Sequence, residues 1–371
     1  MSAVFPAPLT MVFLRDSSPL WRDIASQPLL AARFSGRVAE FVALGARRLT
    51  PGPGGRLWVC GCGDGLFAAQ SVAGYAQALG LDWRPIGALD LLLCADGLRP
   101  QDRVIAISMS GNVDRTVEAA RAVAAVGVPM LALVNGDGGL LGGIASDKIS
   151  LGHIDIAPFL CGTASYSLTM LALAALAAGA AGERALPALA PLIAAQEHAL
   201  ATSEAVFAAL PVPTGVRCLS AGQERGSCAY AAAKFVELTR IPAWSADLEE
   251  FAHSQYWSMP ATDLVVIIAT TPVLARRAGE SCAALRELGA TTLAIDMVGA
   301  EVGDASYRIT LPAVAAVLAP IATAVPLQLL AATLARASGL DPDTRQHLKQ
   351  DSLRFRVSRL LTRRSLIGTG Q

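Results

Sequence analysis

The sequence predicts an α/β chain of two similar doubly wound parallel-sheet domains, with a helical N-terminal lead-in and a C-terminal tail. Three observations carry that prediction. Short continuous apolar runs such as "RVIAIS" and "LVVIIA" alternate with longer helical segments, the pattern of a parallel sheet. The runs are apolar throughout, as in strands buried on both faces. The succession then occurs a second time along the chain.

Residues 1 to 50 read as the lead-in, because "SPLWRDIASQPLLAARFSGRVAEFVALGARRL" has helix-period apolar positions with a break near Pro28. The turn "PGPGG" opens a first domain over 51–195. It contains the strand "RLWVC", the helix "LFAAQSVAGYAQALG", the segment "WRPIGALDLLL", and the strand "RVIAIS". These are followed by the helix "VDRTVEAARAVAAVG", the strands "PMLALVN" and "KISLG", and an Ala-rich helix ending near Ala180. A second domain over 196–335 repeats the order. There "VRCLSAG" resembles "RLWVCGCG", "DLVVIIATT" resembles "DRVIAISMS", and "ESCAALRELGATTLAID" resembles "EAARAVAAVGVPMLALVN". A duplication with a period of about 150 residues is too long for a solenoid. The tail, 336–371, carries "RFRVSRLLTRR", read as a solvated helix in preference to a nucleic-acid patch.

The totals narrow the function classes. Of 371 residues, 53% are hydrophobic and 16% charged, which excludes disorder and calls for large buried surfaces. A net charge of zero favours neither nucleic acid nor an anionic membrane as a partner. Seven scattered cysteines form no zinc-type pair of CxxC motifs; Cys60 and Cys62 read as ordinary thiols, and a reducing cytoplasm fits best. The opening "MSAVFPAPLTMVFLRDS" is a poor signal peptide. Two uncharged stretches, Ile156 to Gly182 and Thr310 to Ala335, are long enough to suggest membrane helices, but their small residues and prolines fit buried helices of a large α/β protein better. No metal or redox cofactor is expected, and "GCGDG" lacks the spacing of a dinucleotide fingerprint.

Two segments carry candidate chemistry. The loop "SMSGN", with Ser108, Ser110, Gly111 and Asn112, ends a strand and opens a helix, where hydroxyls and N–H groups suit an anion. Ser and Asn are equally favoured as plain helix caps. The corresponding "TTPVL" of the second domain has no glycine and a proline suited to starting a helix, so an anion site in the first domain only is the economical reading. The second segment is "KFVELTRIPAWSADLEEFAH". Lys234 and Glu237 at i, i+3 share one helix face, and His253, one of four histidines, follows an acidic pair. A surface ion pair and a solvated histidine are the ordinary reading of such residues. The other reading is an acid/base site.

The duplicated strand–SxSG–helix unit resembles the tandem sugar isomerase (SIS) domain family, whose domains are flavodoxin-like, over nearly the whole chain. "DIASQP" is similar to the family's opening helix and "LWVCGCGDGLFAAQ" to its first strand and glycine turn. Lys234–His253 is similar to the acid/base segment of the isomerase half of glucosamine-6-phosphate synthases, and "GLDPDTRQHLK" to the tail that ends in an active-site lysine. No glutaminase half is expected, since Met1-Ser2 is not an amino-terminal cysteine nucleophile. The resemblance implies that Glu237 shuttles a proton between C1 and C2, with Lys234 one turn before it. It implies that His253 opens the sugar ring from the neighbouring subunit of a homodimer, that Lys349 is the tail lysine, and that Ser108 and Ser110 bind phosphate. The residue types agree: a single carboxylate can serve both carbons, a lysine stabilises enediol charge, and a histidine takes and gives protons near neutrality.

The departures fall on the substrate side. The family loop reads S-x-S-G-x-T, whereas here Val113 replaces the threonine and Met109 stands between the serines. A Thr-Ser pair of the first glycine turn, after Gly63, is Asp64-Gly65. Asp64 near an anion site repels phosphate at short range; it either contacts sugar hydroxyls or a substrate amine, or points away. Thr163 and Ser165 are further candidates for substrate contact or for capping the helix they begin. The expected activity is an aldose–ketose isomerase or deaminase of a sugar phosphate or amino-sugar phosphate. The alternatives are a non-catalytic sugar-phosphate sensor and a deglycase-type enzyme on an atypical, unphosphorylated substrate.

Overall fold

The computed structural model describes residues 17–154, 156–158, 160–363 and 365–366; the reading of the first sixteen residues falls outside them. In chain order the elements are α1 (Pro19–Ala25), α2 (Gln27–Ser35), α3 (Val38–Arg48), β1 (Leu57–Gly61), α4 (Asp64–Ala78), β2 (Trp83–Gly87), α5 (Ala88–Cys94), β3 (Arg103–Ser108), α6 (Asp114–Ala125), β4 (Met130–Val134), α7 (Gly139–Ile144), β5 (Asp147–Ser150) and α8 (Ala164–Ala180). They continue with α9 (Ala190–Phe207), β6 (Val216–Ser220), α10 (Glu224–Thr239), β7 (Ala243–Asp247), α11 (Leu248–His253), β8 (Leu264–Ala269), α12 (Pro272–Glu287), β9 (Thr291–Met297), β10 (Tyr307–Leu311), α13 (Ala319–Ala337), α14 (Gln346–Gln350) and α15 (Ser352–Thr362).

The chain forms two compact units. One holds the described residues of Leu30–Ile154, Ala164–Leu189 and Gln346–Gln371, with a five-stranded sheet in the order β2-β1-β3-β4-β5. The other holds those of Met1–Leu29, Asp155–Thr163 and Ala190–Arg345, with the order β10-β9-β8-β6-β7. Read from its own first strand, the second order is the same as the first, and every pairing in both is parallel. The register agrees as well: Leu57 lies opposite Arg103 in one sheet and Val216 opposite Leu264 in the other. Each of these crossings is braced by a buried aspartate just before the third strand. Asp102 accepts the Arg56 and Arg99 N–H groups at 2.8 and 3.0 Å, and Asp263 pairs with the Arg217 guanidinium at 3.0 Å. The doubly wound architecture and the internal duplication are as the sequence predicts.

The central strands β4 and β8 are buried at every residue, which is why they read as unbroken apolar runs. The edge strands β2 and β7 do not. "WRPIG" carries a proline, tolerated at a sheet edge where an N–H goes unpaired, and "AWSAD" is half exposed. The lead-in breaks at Ser26 and again at Gly36-Arg37, while Pro28 sits in the first turn of α2, where its missing N–H costs nothing.

Both long apolar stretches hold core helices. α13 is buried along its membrane-length window and packs on α9 and α10 of its own unit; α8 packs on α3 and α4 of the other. Helices apolar on every side belong in a protein core. The tail helix α15 has no buried residue, in keeping with a solvated helix.

α3 and α8 meet through backbone. A methyl group on Gly45 would overlap the Leu176 carbonyl, and one on Gly179 would overlap the Val42 carbonyl. Backbone cannot yield as a side-chain tip can. Gly179→Ala is expected to destabilise the protein by roughly 1–3 kcal/mol, the ordinary cost of overpacking, read as a lower midpoint of urea unfolding.

Candidate active site

Lys234 and Glu237 lie one turn apart on α10, and the Lys234 Nζ donates to Glu237 Oε2 at 2.9 Å. The lysine is buried, with its Nζ 5.3 Å from the centre of the Tyr230 ring. The other carboxylate oxygen, Oε1, accepts from Arg345. Glu237 is thus held between two cations, at 28% side-chain exposure. Burial raises its pKa, but Lys234 and Arg345 outweigh burial and hold the carboxyl below its usual range. It is a carboxylate at neutral pH.

The surroundings of this triad converge on a short stretch, residues 160–163. The Leu160 carbonyl accepts from Arg345 at 3.3 Å and the Gly162 carbonyl from the Tyr230 hydroxyl at 2.6 Å. Thr163 donates its hydroxyl to Asp23 of α1, and its carbonyl accepts from Gln328 of α13 at 3.3 Å. Gln328 in turn accepts from Gln27 at 2.6 Å. Thr163 is therefore a buried structural tie to Asp23. Ser165, half buried in the first turn of α8, accepts the Thr169 hydroxyl on its carbonyl at 2.7 Å.

His253 ends α11 and is 71% exposed, with Nε2 3.7 Å from Glu249 Oε1. Glu249 is also held by Arg277 at 2.8 Å. Asp247 caps the helix, accepting the N–H groups of Glu249 and Glu250 at 2.9 and 3.4 Å. Lys349 is an exposed residue of α14.

In the other unit, β1 and β3 are neighbours whose connections leave in opposite directions, so their carboxyl ends form the switch point where doubly wound sheets bind ligands. Gly63 and Asp64 follow β1; the Ser108 loop follows β3. Ser108 is 5% exposed, and its Oγ is buried without a hydrogen-bond partner. Such an orphaned hydroxyl is costly unless a ligand or water meets it. Ser110 is exposed, and its Oγ accepts the Asn112 N–H at 3.2 Å.

Asn112 braces the loop: its Nδ2 donates to the Ser110 carbonyl at 2.9 Å and its Oδ1 accepts from Leu140 N–H at 3.1 Å. Gly111 has φ 66° and lies so close to the Gly138 carbonyl that a Cβ would overlap it. Val113 leaves α6 without a side-chain cap. A methyl on Gly65 would lie 3.0 Å from Ile107 Cγ2, so the close approach of α4 to β3 favours glycine there.

The matching switch point beside β6 and β8 is built differently. Thr271 caps α12, accepting Leu274 N–H at 3.4 Å, and Pro272 starts the helix. A buried carboxylate, Glu224, accepts from Thr323 at 3.0 Å. Burial pushes it up to about 7 against the Ser227, Thr323 and Thr270 hydroxyls. Among the described residues, no group of three or more His, Cys, Asp or Glu side chains is arranged to hold a metal ion.

Sequence reasoning singled out Lys234, Glu237 and the Ser108 loop and passed over Arg345, Tyr230 and Asp23, which the structure places around the Lys234–Glu237 pair and residues 160–163. Arg345 stands in the tail segment "GLDPDTRQHLK", where only the lysine stood out. Its pairing with Glu237 spans 108 residues, a separation at which no local spacing points to it.

No family model matches the chain. A search of curated proteins likewise finds no match. Solved structures do match. The C-terminal domain of glucosamine-fructose-6-phosphate aminotransferase from Francisella tularensis superposes with a TM-score of 0.73 at 14% identity, covering 88% of this chain and 98% of that one. Glucosamine-6-phosphate deaminase from Thermotoga maritima gives 0.71 at 17% identity, covering 88% and 97%. Tagatose-6-phosphate ketose/aldose isomerase from Escherichia coli gives 0.71 at 19% identity, covering 91% and 97%. The chain therefore has the fold of the tandem SIS proteins.

A carboxyl held below its usual range contributes stability that is complete above the unfolded value of about 4.3 and is lost as pH falls through the folded value. Glu237→Gln is expected to be less stable than the parent near neutral pH, because Lys234 and Arg345 lose their counter-charge. The difference should shrink as the pH falls below the unfolded value of about 4.3 and through the lower native one, where the native carboxylate itself protonates. Urea unfolding at the two pH values checks it.

Proposed function

We propose that the chain is an aldose–ketose isomerase or deaminase of a sugar phosphate or amino-sugar phosphate, with Glu237 as the proton-transfer base. The observation that carries this reading is a carboxylate on a helix of an SIS-type fold, held between a buried lysine and a largely covered arginine. Glu237 takes the proton from the carbon beside the carbonyl. The C–H electron pair becomes the C1=C2 double bond, and the carbonyl π pair moves to oxygen, giving an enediolate; from an imine the pair moves to nitrogen, giving the corresponding enolamine. The hydroxyl proton passes from the oxygen that becomes the new carbonyl to the one that becomes the hydroxyl, and return of the carbon proton to the neighbouring carbon completes the transfer. Lys234, paired with Glu237, favours the negative intermediate. In this reading His253 opens the ring in the neighbouring subunit of a homodimer, and Lys349 is a tail lysine of the site. Ser108 and Ser110 bind the phosphate, and Asp64 and Gly63 line the same switch point.

The neighbours support the reading by their stated activities: an aminotransferase of glucosamine-fructose-6-phosphate, a deaminase and a ketose/aldose isomerase. A second reading, a sugar-phosphate-binding protein without turnover, is favoured by one observation. Both Glu237 oxygens are engaged by cations, which hold the carboxyl below its usual range and make it a weaker base.

Proton NMR in deuterated water separates the two. With a panel of ketose, aldose and amino-sugar phosphates and the unphosphorylated sugars, deuterium is expected at C2 of at least one compound, and the exchange should be lost in Glu237→Gln. Ammonia or amine released in the same tubes selects a deaminase or deglycase. Binding with no exchange on any compound gives the second reading.

The Ser108 loop has its own measurement. Ser108→Ala is expected to weaken calorimetric binding of inorganic phosphate roughly tenfold or more, the worth of a hydrogen bond to a charged group. An unchanged affinity would mean that the loop only shapes the start of α6.

A further inference from the structure

We propose that Arg345 is a positioning residue for the proton-transfer step, fixing Glu237 and keeping a permanent positive charge beside it as negative charge passes to the substrate. The proposal rests on the proton-transfer reading above and adds to it a residue outside the acid/base segment.

The first argument is how firmly this arginine is built in. It ends a turn, residues 341–345, that is tied down on three sides. Asp341 accepts the Asp343 N–H at 3.0 Å and the Thr344 hydroxyl at 2.6 Å, and its carbonyl accepts the Arg345 N–H at 3.1 Å. Asp343 caps α1, accepting the Ser18 hydroxyl at 2.7 Å and the Leu20 N–H at 2.9 Å. It also pairs with Arg336 of α13 at 3.0 Å. Arg345 itself has φ 49°, a left-handed conformation unfavourable for any residue with a side chain. Such a conformation persists only where the surroundings over-determine it. The result aims the guanidinium at Glu237 Oε1 and the Leu160 carbonyl together, at 12% side-chain exposure.

The second argument is the chemistry of the group. A guanidinium stays charged throughout the accessible pH range and presents several donors in one plane, so it can hold a carboxylate and a carbonyl at once. Lys234 engages the opposite carboxylate oxygen, so the plane of the base is fixed from both sides. When Glu237 accepts the C–H proton its charge disappears, and the same unit of negative charge appears on the enediol oxygen. Lys234 and Arg345 do not change. Their pull, spent on Glu237 in the resting protein, falls on the intermediate at the moment its charge forms. Fixed charges that need not reorganise are the most effective kind of transition-state stabilisation.

Two measurements on the full chain test this. In protein labelled with carbon-13 at the glutamate carboxyls, with Glu237→Gln to assign the signal, Arg345→Gln is expected to move the Glu237 titration to higher pH. Arg345→Lys should restore part of the shift. In the deuterium-exchange assay, Arg345→Gln should lower the maximal rate roughly 10- to 100-fold with little change in KM. It should also move the acid limb of the pH–rate profile in the same direction as the titration. Circular dichroism confirms that the variants fold; if Arg345→Gln does not, the Arg345→Lys profile decides. Exchange by the wild-type protein with an unmoved titration and pH profile in the Arg345 variants overturns the proposal and leaves Glu237 as base. Absence of exchange in the wild type removes the proton-transfer reading itself, and the role of Arg345 in that step falls with it.

Discussion

The candidate site depends on one constraint: a carboxylate that is largely out of water must be matched. Glu237 is matched twice, by Lys234 from its own helix and by Arg345 from the far end of its unit. Burying a charge is tolerable only where partners and hydrogen bonds compensate it. The compensation recruits the neighbourhood. Arg345 is aimed by a turn anchored on α1 and α13, Lys234 lies over Tyr230, and Tyr230 and Arg345 both reach the backbone of residues 160–163. Asp23 and Gln328 hold the end of that stretch. Loss of either cation would leave one carboxylate oxygen without its charged partner, and loss of Arg345 would also remove one of the side-chain ties on that segment.

The duplicated architecture gave each sheet a switch point, and the two have diverged. Beside β3 the backbone is spent on making a concave loop: Gly111 passes against Gly138, Asn112 ties the loop to the start of α7, and Ser108 keeps an unmet hydroxyl. Beside β8 the same position is a plain helix start with Thr271 and Pro272, and the nearby carboxylate, Glu224, is raised toward neutrality by burial among hydroxyls. A carboxyl in that condition suits a buried hydrogen-bonding role and is unsuited to receiving an anion. The divergence agrees with the contrast between "SMSGN" and "TTPVL" read in the sequence.

The substrate-side departures take on physical meaning beside the structure. Val113 leaves α6 uncapped by a side chain, and Gly65 occupies a place where a Cβ would press on Ile107. The loop is built around backbone approach more than around hydroxyl count. Asp64 opens α4, where the helix dipole favours a negative side chain whatever else it does. Lys234 and Glu237, the residues proposed for proton transfer, by contrast sit on a continuous helix, a rigid support for groups that must hold their geometry.

The sequence by itself determined the architecture, because strands buried on both faces need unbroken apolar runs and helices between them need a repeating apolar face. It determined the duplication for the same reason, and the Lys234–Glu237 pair because residues three apart on a helix are neighbours by geometry alone. The edge strands β2 and β7 escaped notice because a half-exposed edge imposes no apolar run. Only the tertiary structure decided which charges meet Glu237. Arg345 is brought to it by the docking of a distant turn, and Thr163, which reads as a substrate contact or a cap, is committed to Asp23. Local spacing records what one helix turn or one loop can reach. The partners of a buried charge are chosen by packing across the whole unit, and packing at that distance leaves no periodic mark in a single sequence.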